Sequence, residues 1–234
     1  MRAIIIMVGV LAWPGLLLAQ PATTENLPPP APWDVTGFAA FLAGSPDLEV
    51  TDRYQDNWYE TGQVGVIVGR HLSRHLKLEF EASTSAEARQ YVLRFVTVTL
   101  PPPISAQGYP PQFPVGMERY AKLHQVSGLV TWQFFDNEWV HPFLQVGAGA
   151  DIERVRWQSF PNVIYVNDPR VPGRSIPVTA ETPPSESKTM ARLLVGGGAK
   201  LYVTPRAFFR ADARFGGAGD GEHFVLRLGF GADF

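Results

Sequence analysis

The chain has 234 residues, with 22 acidic and 20 basic side chains, a net charge of -2 and no cysteine. Without cysteine there is no disulfide framework and no thiolate chemistry, and so even a charge balance offers no basic patch for nucleic acid. A charged fraction of 18% and a mean hydropathy of -0.03 would suit a soluble protein, but they do not exclude a membrane β-barrel, whose apolar half is hidden in alternation.

The chain opens on a basic Arg2, an apolar run from Ala3 to Leu18 and a small-residue exit at Leu17-Leu18-Ala19. That order is the pattern of a secretory signal peptide cleaved near Ala19, and the run is short for crossing about 30 Å of hydrocarbon. Residues 20–32 carry five prolines and are expected to form an extended lead-in. Residues 33–234 then suit one all-β domain, since no linker separates two regimes of composition.

Side chains of a strand alternate between its faces with period two, and this predicts eight strands. The first, Trp33 to Ala43, sets Trp33, Val35, Gly37, Ala39 and Phe41 on an apolar face, with Phe38 and Leu42 competing for the same role. The second, Trp58 to Arg70, sets Val64, Val66 and Val68 against Gln63, Gly65 and Gly69. After a turn at 71–74, the third sets Leu76, Leu78, Phe80 and Ala82 against Lys77, Glu79, Glu81 and Ser83. The fourth, Ala121 to Phe134, sets Val126, Val130, Trp132 and Phe134 against Gln125, Ser127, Thr131 and Gln133. A turn at Asp136-Asn137-Glu138 leads into the fifth, where Val140, Leu144, Val146, Ala148, Ala150 and Ile152 oppose Gln145, Gly147, Gly149, Asp151 and Glu153. Pro142 near its start belongs at a rim, because it cannot donate to a ladder. The sixth, Thr189 to Val203, opposes Leu193, Val195, Ala199 and Leu201 to Arg192, Gly196, Gly198 and Lys200. Thr204-Pro205 turns the chain into the seventh, where Ala207, Phe209, Ala211, Ala213 and Phe215 oppose Arg210, Asp212 and Arg214. The eighth, His223 to Phe234, carries Phe224, Leu226, Leu228, Phe230, Ala232 and Phe234 against His223, Val225, Arg227, Gly229, Gly231 and Asp233.

The connections alternate as well. Turns at 71–74, 135–138 and 203–206 are tight, whereas 44–57, 84–120 and 155–188 are long and 216–222 is a Gly-rich link. A transmembrane barrel has this arrangement, with short periplasmic turns, long outer loops and, for an even strand count, both termini in the periplasm. Trp33, Trp132, Phe134 and Trp139 fall near tight-turn ends, where an aromatic girdle is expected. Gln90–Leu100 and Asn162–Val166 are also β-prone. Counting them as barrel strands would send the Pro-rich stretch 101–117 to the short-turn rim, so they are expected to extend barrel strands or to form hairpins within loops, with 101–114 irregular.

The closing stretch Arg227-Leu228-Gly229-Phe230-Gly231-Ala232-Asp233-Phe234 resembles the terminal signal read by the barrel-assembly machinery, in which a polar residue, a glycine, an apolar residue and a final aromatic stand at fixed spacing. Here Arg227, Gly229, Ala232 and Phe234 occupy those positions, with Ala232 on the small side. Val140-His-Pro-Phe-Leu-Gln-Val-Gly-Ala-Gly-Ala150 is similar to a Pro-aromatic-Gly-x-Gly strand of the OmpA-type and OmpX-type outer-membrane barrels. The resemblance spans nearly all of the chain after the leader. It implies an antiparallel, eight-stranded, up-and-down transmembrane β-barrel in the outer membrane of a Gram-negative-type bacterium, without the peptidoglycan-binding domain that follows some relatives. The partners it implies are outer-membrane lipid, the assembly machinery during insertion, and an extracellular ligand met by the loops.

An eight-stranded barrel is just wide enough for side chains to fill it. The inward faces carry Lys77, Glu79, Glu81, Arg210, Asp212, Arg214, Arg227 and Asp233, together with Gln125, Gln133, Gln145, Asp151, Arg192 and Lys200. Both signs are present, so a paired structural network that plugs the lumen is expected rather than a pore. No catalytic, cofactor or metal site is expected. Lipid A deacylases are barrels of similar size with a His-x-Ser pair, but His71-Leu72-Ser73 falls at a short turn, and His124 and Ser127 fall on opposite faces. His71 and His75 are expected as solvated turn residues. Gly196-Gly197-Gly198 lacks the Lys-Ser/Thr and the helix of a phosphate loop. The reading is a non-catalytic barrel whose loops serve adhesion, recognition or membrane integrity, with a lipid A-modifying hydrolase or a narrow channel as alternatives.

Overall fold

The computed structural model describes residues 31–44, 59–97, 112–134, 139–160, 162–165, 175–178, 182–217 and 222–234. The expected leader, most of the expected lead-in and the expected turn at Asp136-Asn137-Glu138 lie outside the described residues. Strands β1 (Trp33–Gly44), β2 (Tyr59–His71), β3 (Leu76–Ser85), β4 (Ala88–Thr97), β5 (Gln112–Gln133), β6 (Val140–Ser159), β7 (Asn162–Tyr165), β8 (Ser175–Val178), β9 (Glu186–Tyr202), β10 (Ala207–Gly217) and β11 (Glu222–Asp233) follow in order, with no helix among the described residues.

Eight of these strands close a ring. Its order is β3-β2-β1-β11-β10-β9-β6-β5, and β5 returns to β3 with Leu76 opposite Trp132 and Thr84 opposite His124. Every pairing is antiparallel, and the first strand meets the last with Asp34 opposite Asp233. Closure removes the sheet edges, which in hydrocarbon would leave backbone N–H and C=O groups without partners.

The outer face is apolar. Val64, Val66, Leu78, Phe80, Val126, Leu144, Val146, Leu193, Val195, Leu226, Leu228 and Phe230 are all exposed. On β11 the outward residues run from Phe224 to Phe234, about 33 Å along a strand and about 25 Å in height at the usual tilt, which is the height of a lipid-facing band. Trp33, Trp132, Phe134 and Trp139 are exposed beside the short-turn rim, and Arg70 lies over the Trp33 ring at 5.3 Å. In β1 the competition is settled, with Phe41 45% exposed and Phe38 and Leu42 7% and 0% exposed inside.

The long loops hold more strand than alternation within the barrel reveals. The fourth barrel strand begins at Gln112 and not near Ala121, β6 runs on to Ser159, and β9 starts at Glu186, so parts of the stretches expected as loops over 84–120 and 155–188 are ladder. β4 continues β3 beyond a bulge. Thr84 pairs with His124 and Ala88 with Ala121, so residues 85–87 oppose only 122 and 123. The Leu123 N–H donates to Ser85 Oγ at 2.9 Å, which satisfies a donor at the break. Pro114 is therefore in a strand, opposite Phe95. It is tolerated because the ladder from β5 to β6 starts only at Met117, leaving that side of β5 open. β7 and β8 form a separate hairpin.

Candidate functional site: the barrel lumen

Inside the band, six carboxylates (Asp34, Glu79, Glu81, Asp151, Asp212, Asp233) and six cations (Lys77, Arg192, Lys200, Arg210, Arg214, Arg227) are buried. Alternation places them there: each shares its strand with outward apolar neighbours on either side. Removing so many charges from water is tolerable only when each finds a partner of opposite sign.

Near the short-turn rim, Asp34 Oδ2 accepts from Lys77 Nζ at 2.6 Å and from Lys200 Nζ at 2.5 Å, and Lys77 also reaches Glu79 at 2.5 Å. The Tyr202 hydroxyl donates to Asp233 Oδ2 at 2.6 Å, and the Lys200 ammonium lies 4.0 Å from the Phe208 ring centre. Gly69 is what allows this cluster to form, because a Cβ there would stand 2.6 Å from Lys77 Cε and 2.8 Å from its Nζ.

At mid-height Arg210 donates twice to Glu79, at 2.7 and 3.0 Å, and also to Asp212 at 2.8 Å and Gln145 at 2.9 Å. Arg214 grips Glu81 through two bonds of 2.7 and 2.8 Å. Arg227 bridges Glu81 and Asp212, with its Nε 2.6 Å from Asp212 Oδ1. Such paired N–H···O bonds are the strong, directional form of the arginine–carboxylate contact. Phe143 lies under the Arg210 guanidinium at 4.5 Å and Phe38 under that of Arg227 at 5.2 Å, which is why these apolar rings are inside.

Higher still, Gln63 Nε2 donates to Gln125 Oε1 at 2.5 Å, Gln125 donates to Asp151 at 3.0 Å, and Arg192 pairs with Asp151. His223 Nδ1 lies 3.5 Å from Asp151 Oδ2. Leu42, Ala88, Leu123 and Val225 then form a fully buried apolar cluster across the lumen. Beyond it, Arg119 on the extended β5 is 2.7 Å from Glu153 and donates to Gln90 at 2.9 Å.

Asp34 and His71 join this network although the alternation pattern did not place them in it, and His223, on the expected inward face of its strand, joins it as well. Asp34 stands on the same face of β1 as Phe38 and Leu42, so the apolar pair masked its direction. His71 is not a solvated turn residue: its side chain is 5% exposed and its Nε2 is 3.7 Å from Asp34. His75 stacks on Trp132 at 5.8 Å, and its Nδ1 is 3.1 Å from the Gln133 carbonyl. Asp34, His71 and Asp233 bring ligand atoms within 4.8 Å of one another. Two ammonium groups already occupy Asp34, so this donor set fits lysine better than a metal cation.

No family model and no curated protein matches the chain. Among solved structures it is similar to Neisserial surface protein A, with 14% identity, a TM-score of 0.53, and coverage of 87% of this chain and 98% of that one. The fold is that of the eight-stranded outer-membrane β-barrels. Weaker likenesses are to Ail, the attachment invasion locus protein of Yersinia pestis (16% identity, TM-score 0.47, 88% and 99% covered), and to the N-terminal β-barrel domain of Pseudomonas aeruginosa OprF (15%, 0.45, 86% and 97%).

Within this barrel the His-x-Ser pair of the turn assembles no triad. The Ser73 hydroxyl accepts the backbone N–H groups of His75 and Leu76, at 3.3 and 3.1 Å, and so caps the turn, while His71 turns into the lumen. Ser127 is buried and points inward, whereas His124 faces out, as period two requires.

Proposed function

We propose that the chain is a non-catalytic integral protein of the outer membrane, inserted after removal of a leader near Ala19, whose lumen is plugged and whose long-loop side carries its function. The observation that supports this is the pairing of a charge-balanced, buried inner face with an exposed apolar outer face on the same strands. A carboxylate and guanidinium network filling a cylinder this narrow leaves no continuous water column, so the barrel acts as a scaffold. The β4–β5 extension and the long β6 continue the wall beyond it, and the β7–β8 hairpin lies in the connection from β6 to β9; an adhesion or recognition surface, or a role in membrane integrity, fits this side best. On the same reading Arg227, Gly229, Ala232 and Phe234 are the feature recognised by the barrel-assembly machinery.

Single-barrel recordings in planar bilayers test the plug. A flat current is expected, and reproducible stepwise conductance would replace the scaffold reading with a channel. Mass spectrometry of lipid A from cells with and without the protein tests the hydrolase reading, for which loss of an acyl chain would be decisive.

A further inference from the structure

We propose that Lys122 and Arg154, on the outer wall of the barrel, hold the phosphate of a lipid headgroup in the outer leaflet; this rests on the membrane reading above. The two residues are direct partners across the β5–β6 ladder. Both are exposed and share their outward faces with Val126 on β5 and Ile152 on β6. Like charges set directly opposite one another across a ladder are destabilising, so a bare pair of this kind costs stability unless an anion sits between them.

Neighbouring carboxylates do not fill that role. Glu87 is engaged by Arg156, at 3.0 and 3.2 Å, and Glu118 by Arg89 and the Tyr120 hydroxyl. No ion pair or hydrogen bond joins the side chains of Lys122 or Arg154 to any partner among the described residues. Arg156 lies over the Tyr120 ring at 4.1 Å and is held in its pair with Glu87, so that pair adds no net charge beside Lys122 and Arg154. The arc is local, since the exposed rim positions on β2 and β11 are Glu60 and Glu222.

Height selects the ligand. Lys122 is ten residues up β5 from the girdle residue Trp132, about 33 Å of strand and about 25 Å of height, which places it at the far edge of the apolar band. Val126, one outward position beyond His124, is 42% exposed to that band. A phosphate carried on acyl chains can place its tails against these side chains and its charge between the ammonium and the guanidinium, which accepts phosphate oxygens two at a time. A soluble polyanion would gain nothing from the apolar surface below.

The test uses the full chain refolded into phosphatidylcholine vesicles, alone or with a minor fraction of diphosphorylated or dephosphorylated lipid A, and reads lipid retention by native mass spectrometry together with the unfolding temperature. The wild type is expected to retain the phosphorylated lipid and to unfold at a higher temperature with it. The variant K122Q/R154Q should retain it about tenfold less well, with its unfolding temperature in pure phosphatidylcholine unchanged or raised. Lys122→Arg should keep retention. Equal retention by wild type and K122Q/R154Q, equal retention of the dephosphorylated lipid, or an equal thermal gain from a soluble sulfated polysaccharide would each overturn the proposal. Failure to insert into any of the vesicles would instead count against the membrane reading itself.

Discussion

Glu79 and Arg210 lie 131 residues apart in the chain and meet across the lumen through two parallel hydrogen bonds, Oε1 to Nη1 at 2.7 Å and Oε2 to Nη2 at 3.0 Å. Both side chains are at most 2% exposed. Arg210→Ala leaves Glu79 buried beside one remaining cation, Lys77, and deprives Asp212 of a donor, so a loss of about 3–5 kcal/mol is expected in urea titrations of the refolded barrel. A double variant, Glu79→Gln with Arg210→Met, should lose less than Arg210→Ala alone. Strictly additive losses would show that the pair is not a coupled unit.

Glycines on the two faces should respond differently. At Gly69 a Cβ meets the Lys77 side chain, whereas at Gly37 it meets nothing within 4 Å. Gly69→Val should therefore push Lys77 away from Asp34 and cost about 1–3 kcal/mol, lowering the temperature at which the folded band is lost on a gel. Gly37→Val should leave that temperature unchanged, and equal effects would contradict the assignment of faces.

The outer wall should sense depth. Val146 is 59% exposed in the middle of the β6 band and Trp139 is 57% exposed at its short-turn end. Equilibrium refolding into vesicles should show a loss of about 2–4 kcal/mol for Val146→Arg and about 0–1 kcal/mol for Trp139→Arg. A soluble barrel would show no such gradient.

Phe234 is 61% exposed, and its main chain closes the ring with Trp33 through bonds of 2.9 and 3.1 Å. Those bonds survive truncation of the ring, so Phe234→Ala should change stability in vitro by only about 0.5 kcal/mol. If the terminal aromatic is read by the assembly machinery, the amount of inserted barrel in cells should nevertheless fall several-fold. Normal insertion of Phe234→Ala would remove the assembly role and leave the fold untouched.

On every barrel strand but β1, alternation alone determined which residues face out and which face in, because the side-chain period of a strand is a local property of the backbone. Lys77, Glu79, Glu81, Arg210, Asp212, Arg214, Arg227 and Asp233 are all buried inside for that reason. Loop lengths likewise carried the strand count, since a tight turn can join only neighbouring strands. Other features needed the closed ring. Which cation meets which carboxylate depends on the stagger between strands far apart in the chain, so that Lys200 shares Asp34 with Lys77 and Arg227 spans Glu81 and Asp212. Phe38 and Leu42 share the inward face of Asp34 because Phe38 packs under the Arg227 guanidinium and Leu42 joins the apolar cluster with Leu123 and Val225, whereas local hydropathy reads both as lipid-facing. The extension of β5 to Gln112 and the Lys122–Arg154 pair exist only through cross-strand register, for a residue's neighbour across a ladder is set by hydrogen bonding along the whole hairpin and not by the residues on either side of it.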